Sequence, residues 1–458
     1  MAVGKSKKPK RHKMPFPVFL LILGIITPIE LSPVIGSLHM LPHRVAILVF
    51  IFPALKRVFA SKLVRTAAYD WLFVAFNAWM LFIFMAHMDW GPGLQYGGSL
   101  VVESLGGYVI ARAYIRTYDD FIATLSGLFK AVCFVGVLAI PEVLTGNHYV
   151  HTSLRFIGGV MPSASDEVRW GLHRSYATFN HPILYGAFCA SILSMVWSTG
   201  GAIGGRIPKV IAIVLATFFG LSSAPLNTLV VQSALGGIHK ATTRFPNRMK
   251  VLGLMFVALY MFLLVTSDQS PIASIVTRIT IDPQTGYYRT LIWGFGLQNV
   301  WAHPWFGLGL DDWWRPEWMH SVSVDAYWLI VTMQQGIPAI MLLISAIWLL
   351  IAAVHKRGPG QRPRQEQRAS VGWTLSFTAF ALAGCTVHYW DSAHTYLFFL
   401  LGMSTWLADP VKSKLKAKAK PRAKSAELVD DEPIPTPLPW PEPAYAARYV
   451  EASDPRAG

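Results

Sequence analysis

The chain carries none of the short motifs that mark common soluble enzymes. It has no GxxxxGKS/T phosphate loop, no HExxH, no CxxC and no GxSxG. These absences argue against a nucleotide-driven motor, a zinc peptidase, a thiol metal centre and a serine hydrolase. Cysteine is scarce: Cys133, Cys189 and Cys385 are the three in 458 residues, far apart and each inside an apolar run. That pattern fits neither a disulfide framework nor a cysteine metal site. Charge is scarce too, with Asp, Glu, Lys and Arg making up 14% of residues against 53% apolar ones. Soluble domains carry about a quarter charged residues, so the composition is that of a membrane protein.

Where the charge lies is informative. The net charge is +15, which in another setting would point to nucleic acid. Here 32 of the 40 Lys and Arg fall in the N-terminal tail, in connections at 56–65, 112–116, 206–209, 240–250 and 356–368, and after residue 409. These alternate with connections poor in basic residues, the positive-inside pattern, which predicts that both termini are cytoplasmic. The basic excess then reports topology and contact of the tails with anionic lipid, not binding of nucleic acid.

Apolar runs recur near 16–34, 42–55, 69–88, 97–112, 121–141, 182–198, 208–223, 225–238, 250–266, 324–354, 370–387 and 393–408. The expected fold is an all-α polytopic bundle of about twelve spans. It divides into a basic tail at 1–13, a membrane domain at 14–408 and a disordered, basic then Pro-rich tail at 409–458. The start MAVGKSKKPKRHK runs into Phe16 with no small-residue cleavage site, so the first span is expected to be retained. Two outer loops stand out, 142–181 and 267–324, the second between spans nine and ten. The second holds Trp293, Trp301, Trp305, Trp313, Trp314 and Trp318, a density that predicts a segment lying on the membrane surface.

Removing the cytoplasmic connections leaves Arg44, Lys130, Arg155, Arg169, Arg174, Arg278, Arg289 and Arg315. The last six in sequence are all arginine and all lie in the two outer loops. The guanidinium fork binds phosphate oxygens in pairs and keeps its charge at a dry interface, so this cluster points to a phosphate-bearing ligand. Around Arg289, the residues Tyr288, Leu291, Ile292 and Phe295 follow helical spacing, predicting an amphipathic helix that aims Arg289 at the headgroup layer. Candidate acid–base groups downstream are Asp311, Asp312, Glu317, His320 and Asp325, with Asp325 expected at a helix start. Glu103 and Arg112, nine residues apart in one span, are expected to pair internally or to snorkel. Asp391, with His388 and His394, marks the last outer turn.

Four stretches together carry a resemblance: RSYATFNHPILYGAF (174–188), YRTLIW (288–293), HPWFGLG (303–309) and DAYWLIVTMQQGIPA (325–339). In order and spacing they resemble the O-antigen ligase and polymerase superfamily, over about residues 20 to 405. The resemblance implies a GT-C-like integral membrane glycosyltransferase that uses undecaprenyl-diphosphate-linked glycan and a glycan acceptor, with no cofactor and no metal. It implies diphosphate binding by Arg174 and Arg289, to which Arg315 and His181 are added from the loops. Polysaccharide export or chain-length proteins are the implied partners, at the inner membrane. One departure concerns the base. The ligases place a His-Asn pair with a glycine eleven residues after the histidine, and counting back from Gly336 lands on Asp325 followed by Ala326. Either Asp325 or His320 is then the base. Transfer of finished glycan to lipid A core or to protein is the nearest rival. A secondary transporter or flippase, and a scaffold acting through the C-terminal tail, are rivals of other classes.

Overall fold

The computed structural model describes residues 12–32, 34–35, 38–60, 64–157, 167–200, 205–242, 283–319, 323–356 and 362–408, all within one compact unit. Expectations placed on the first eleven residues, the apolar run 250–266, Arg278, His320 and the tail from 409 lie outside the described residues.

The chain is mostly helical. Its helices are α1 (Phe16–Ile25), α2 (Pro42–Leu55), α3 (Ala68–His87), α4 (Trp90–Tyr114), α5 (Tyr118–Thr145), α6 (Tyr149–Leu154), α7 (Pro182–Ala190), α8 (Leu193–Thr199), α9 (Arg206–Phe219), α10 (Ser223–Thr242), α11 (Pro283–Ala302), α12 (Tyr327–His355), α13 (Arg364–Ala383), α14 (Ser392–Gly402) and α15 (Thr405–Ala408). Two short hairpins complete the described residues: β1 (Val34–Ile35) with β2 (Leu38–His39), and β3 (Val168–Arg169) with β4 (Leu172–His173). Local signals set several boundaries. Thr117 and Asp120 form a reciprocal capping box at the start of α5, through Asp120 N to Thr117 Oγ1 at 3.1 Å and Thr117 N to Asp120 Oδ2 at 3.0 Å. The run 16–34 is helical for only ten residues, because Pro28 and Pro33 cannot continue it.

By length and composition four of the described helices can cross a membrane: Ala68–His87, Tyr118–Thr145, Pro182–Thr199 (α7 and α8 joined by a turn) and Tyr327–His355. The other apolar runs within the described residues also coincide with helices, but those are shorter or carry more polar residues. α4 is the example, with Glu103 and Arg112 buried inside it. The expected pairing of these two is corrected. Nine residues are two and a half helical turns, which puts the side chains on opposite faces. Glu103 instead meets Arg44 Nε at 2.7 Å and His43 Nε2 at 3.1 Å, while Arg112 meets Asp70 at 2.6 Å. Each is a fully buried charge held by a partner on a neighbouring helix, which a low-dielectric interior requires.

α12 is broken in its first third. Pro338 lacks the N–H that would bond residue 334, and Gly336 absorbs the irregularity at φ 78° and ψ 172°. The freed groups find partners from elsewhere. The Met333 carbonyl accepts from Leu308 N at 2.8 Å, the Gln334 carbonyl from Gly309 N at 3.0 Å, and Ile337 N donates to Pro304 at 2.7 Å. Trp79 Nε1 donates to the Gln335 carbonyl at 2.9 Å. The HPWFGLG turn and the QQGIP segment are thus two halves of one structural joint, in which these four backbone groups at the break are paired inside protein.

Candidate functional site

Two arginines of the connection between α6 and α7 are presented by the β3–β4 hairpin. Its turn residues Trp170 and Gly171 both have positive φ, 55° and 77°, the primed geometry that matches strand twist. At the hairpin base, Glu167 Oε2 accepts from Arg169 Nη2 at 3.0 Å and from Arg174 Nη1 at 2.7 Å. One carboxylate therefore serves two guanidiniums, which hold it below the usual glutamate range against the opposing effect of its own burial. Arg174 is only 6% exposed, and burial followed by the nearby Arg169 lowers its pKa.

The segment after Arg174 is fixed from below. Glu142, buried near the end of α5, accepts from Ser175 Oγ at 2.6 Å, Ala177 N at 2.9 Å and Tyr176 N at 3.3 Å. A carboxylate clamped by three donors explains why an acid sits at that depth and why the loop backbone can hold Ala177 at φ 49°.

His181 caps α7, its Nδ1 accepting from Ile183 N at 3.2 Å, and its ring lies edge-on to Trp390 with centroids 5.7 Å apart. Burial and the positive charge of Arg174 bring its pKa down to about 4. The ring is neutral at pH 7 and its Nδ1 is committed to the cap, so it borders the arginines as a fixed neutral neighbour. Because the folded pKa lies below the unfolded value of about 6.5, this histidine's contribution is complete above pH 6.5 and is lost as pH falls towards 4. A His181→Asn variant keeps a capping side chain. It should lose about 1–2 kcal/mol less than the parent chain between pH 7 and pH 4.5, read as a smaller drop in melting temperature in detergent.

Arg289 comes to the same place from α11. The apolar residues of this helix pack on α12, Ile292 and Val300 clustering with Leu329 and Met333, and Trp293 Nε1 donates to the Cys385 carbonyl at 2.8 Å. This seats the helix so that Arg289 is 7% exposed, and the expectation that it points out at the headgroup layer is corrected. Burial lowers its pKa, the carboxylate of Asp325 opposes that, and Arg169 adds to it. Arg174 in turn senses Arg289. Asp325 is half-buried just before the N-cap of α12, which is Ala326 with no side-chain cap. It therefore does not start the helix as expected, and its one hydrogen bond in the described structure is from Ser323 Oγ at 3.2 Å.

Arg169, Arg174 and Arg289 thus lie within electrostatic reach of one another, with Glu167 paired to the first two and Asp325 acting on the third. Buried Nε atoms of Arg174 and Arg289 have no hydrogen-bond partner among the described residues. Buried donors without acceptors are costly unless a ligand supplies them. Arg315 is not part of this group. Its guanidinium is engaged in its own loop by Asp312 at 2.6 Å, the Trp313 carbonyl at 3.1 Å and the Met319 carbonyl at 3.2 Å. No hydrogen bond or ion pair among the described residues joins Arg315 to Arg174 or Arg289, because its Nε and Nη1 are turned to near neighbours in sequence. Arg169 stands beside Arg174 instead. The signal was available as Glu167, Arg169 and Arg174 around a Trp-Gly turn, but only pairing of the hairpin brings the three together. Among the described residues no group of three or more His, Cys, Asp or Glu side chains is arranged to hold a metal.

No protein-family model matches the chain, and no curated protein matches it.

Proposed function

We propose that the chain is a multi-pass glycosyltransferase of the bacterial inner membrane, of about twelve spans and GT-C-like, with both termini cytoplasmic. It polymerises undecaprenyl-diphosphate-linked glycan for a surface polysaccharide. The observation that carries this reading is the convergence of Arg174, Arg289 and Arg169 from two separate outer loops, with two buried Nε donors left open. The oxygens of a diphosphate would supply acceptors for these open donors, and its negative charge would meet the arginine excess. In the reaction, an acceptor hydroxyl oxygen attacks the anomeric carbon while the bond to the diphosphate oxygen breaks. The electron pair leaves with undecaprenyl diphosphate, whose developing charge the arginines stabilise. Asp325, which senses Arg289, takes the proton of the attacking hydroxyl. Exposed Trp301, Trp305, Trp314 and Trp318 rest at the headgroup level beside the site.

The test is Arg289→Ala in the native host, with the lipid-linked glycans extracted and sized. Single repeats accumulating on undecaprenyl diphosphate support polymerisation, whereas long chains left on the lipid identify a ligase. Normal polymer at normal protein level overturns the reading. One observation favours a transporter as the second reading: α12 is broken at Gly336, as transporter helices are beside their substrate. In that case the same variant should leave glycan length untouched and alter only where the glycan resides.

A further inference from the structure

Beside the arginine cluster, and separate from it, is a cavity of about 420 Å³ between α2, α3, α4, α12 and the turn before α14. The size lies within the range of about 300–1,000 Å³ typical of ligand sites. Two contacts join its wall to the arginine loop: Asn180 Nδ2 to Asp391 Oδ2 at 2.8 Å, and His181 against Trp390. Three of its lining residues are buried to 1%, 3% and 5% exposure, Glu103, Gln335 and His394. Each has a side-chain atom with no hydrogen-bond partner among the described residues: Glu103 Oε2, Gln335 Oε1 and His394 Nε2. Orphaned polar atoms are rare in a folded interior, and three on one cavity call for a polar occupant. Asp391 also holds φ 50°, a strained backbone geometry of the kind that clusters at binding sites.

The chemistry of the wall narrows the occupant. Arg44 is already matched by Glu103, and Asp391 adds a second carboxylate, so an anion is disfavoured here. The remaining surface offers aromatic rings, Tyr96, Tyr327 and Trp390, and the amides of Gln334 and Gln335. A pyranose ring has an apolar C–H face for the rings and hydroxyls that donate and accept for the amides and carboxylates. We infer that this cavity is the glycan site of the protein and holds one neutral sugar residue next to the diphosphate held by the arginines. The inference rests on the proposed transferase reading and assigns its sugar-binding residues.

The test is isothermal titration on the full chain in lipid nanodiscs. One probe is the free repeat-unit oligosaccharide released from the host polysaccharide, and the other is undecaprenyl diphosphate without sugar. Gln335→Leu removes an unpartnered buried amide at nearly constant volume, so thermal stability should hold or rise. Binding of the oligosaccharide should weaken by roughly tenfold, the loss of one buried hydrogen bond, with undecaprenyl diphosphate unaffected. Asp391→Asn is the second variant and should weaken the oligosaccharide in the same way. A third titration uses the lipid-linked repeat: weakening by Gln335→Leu assigns the cavity to the transferred sugar, and no change assigns it to the accepting one. Oligosaccharide binding that is absent, or equal in parent and both variants, overturns the inference. Should undecaprenyl diphosphate still bind in that case, the transferase reading stands without it. Oligosaccharide binding without undecaprenyl diphosphate binding sinks the transferase reading and leaves the cavity as a sugar site.

Discussion

Arg174→Ala is expected, on the proposed transferase reading, to lower glycan transfer by about 10²–10³-fold, mostly in turnover, because the lost charge would act on a group whose own charge grows as the bond breaks. Arg174 is buried beside two other arginines and shares its ion-pair partner, Glu167, with Arg169. Its charge is therefore incompletely compensated, and a bound diphosphate would complete it. Arg174→Lys should recover only part of the loss, since an ammonium is a point charge without the fork that meets Glu167 and phosphate oxygens together. Steady-state rates with lipid-linked donor at saturating and limiting concentrations separate the effects. If Arg174→Lys matched the parent chain in both, a point charge would suffice and the bidentate assignment would be wrong. Glu142→Gln offers a control at a distance. Its effect on transfer should follow from loosening residues 175–177 and should appear with a lower melting temperature, unlike that of Arg174→Ala.

Gly336→Ala is expected to have the largest effect on the fold. The residue sits at φ 78°, where side chains are strained, and an added Cβ would fall on the Trp305 carbonyl oxygen. Relief by straightening α12 is closed off because Pro338 has no N–H for the Gln334 carbonyl. Movement of the 304–309 turn would also release the partners of Met333, Gln334 and Ile337 together. Strain at one residue costs about 1–3 kcal/mol, and each buried backbone group left unpaired adds about 1–3 kcal/mol. One strained residue and three unpaired groups together amount to a loss of about 4–12 kcal/mol, enough to prevent accumulation of folded protein. Membrane abundance and melting temperature in detergent measure this directly. A variant that accumulates normally and melts within a few degrees of the parent would mean that the break is adaptable.

The residues of the site were legible to different degrees. Arg174 and Arg289 could be singled out because they sit in two long connections of a chain whose basic residues otherwise cluster in a separate, alternating set of connections. Arg315 passed the same filter yet is tied to Asp312 and Trp313, since a charge count cannot see which forks are already filled. Glu142 and Glu103 were visible as acids in apolar surroundings, but their partners are 33 and 59 residues away, beyond any local pattern.

Composition, hydropathy and proline placement by themselves determined that the chain is mostly helical with helices long and apolar enough to cross a membrane, because helix formation and helix hydropathy depend on runs of neighbouring residues. The capping box at Thr117 and the interruption before Pro28 were fixed in the same local way. Only the tertiary structure decided that HPWFGLG closes the break in α12, that Arg169 joins the arginine group and Arg315 does not, and that Glu103 turns away from Arg112 towards Arg44. Those outcomes depend on which side chains meet across helices, where a buried charge or an open carbonyl must find its partner regardless of distance along the chain.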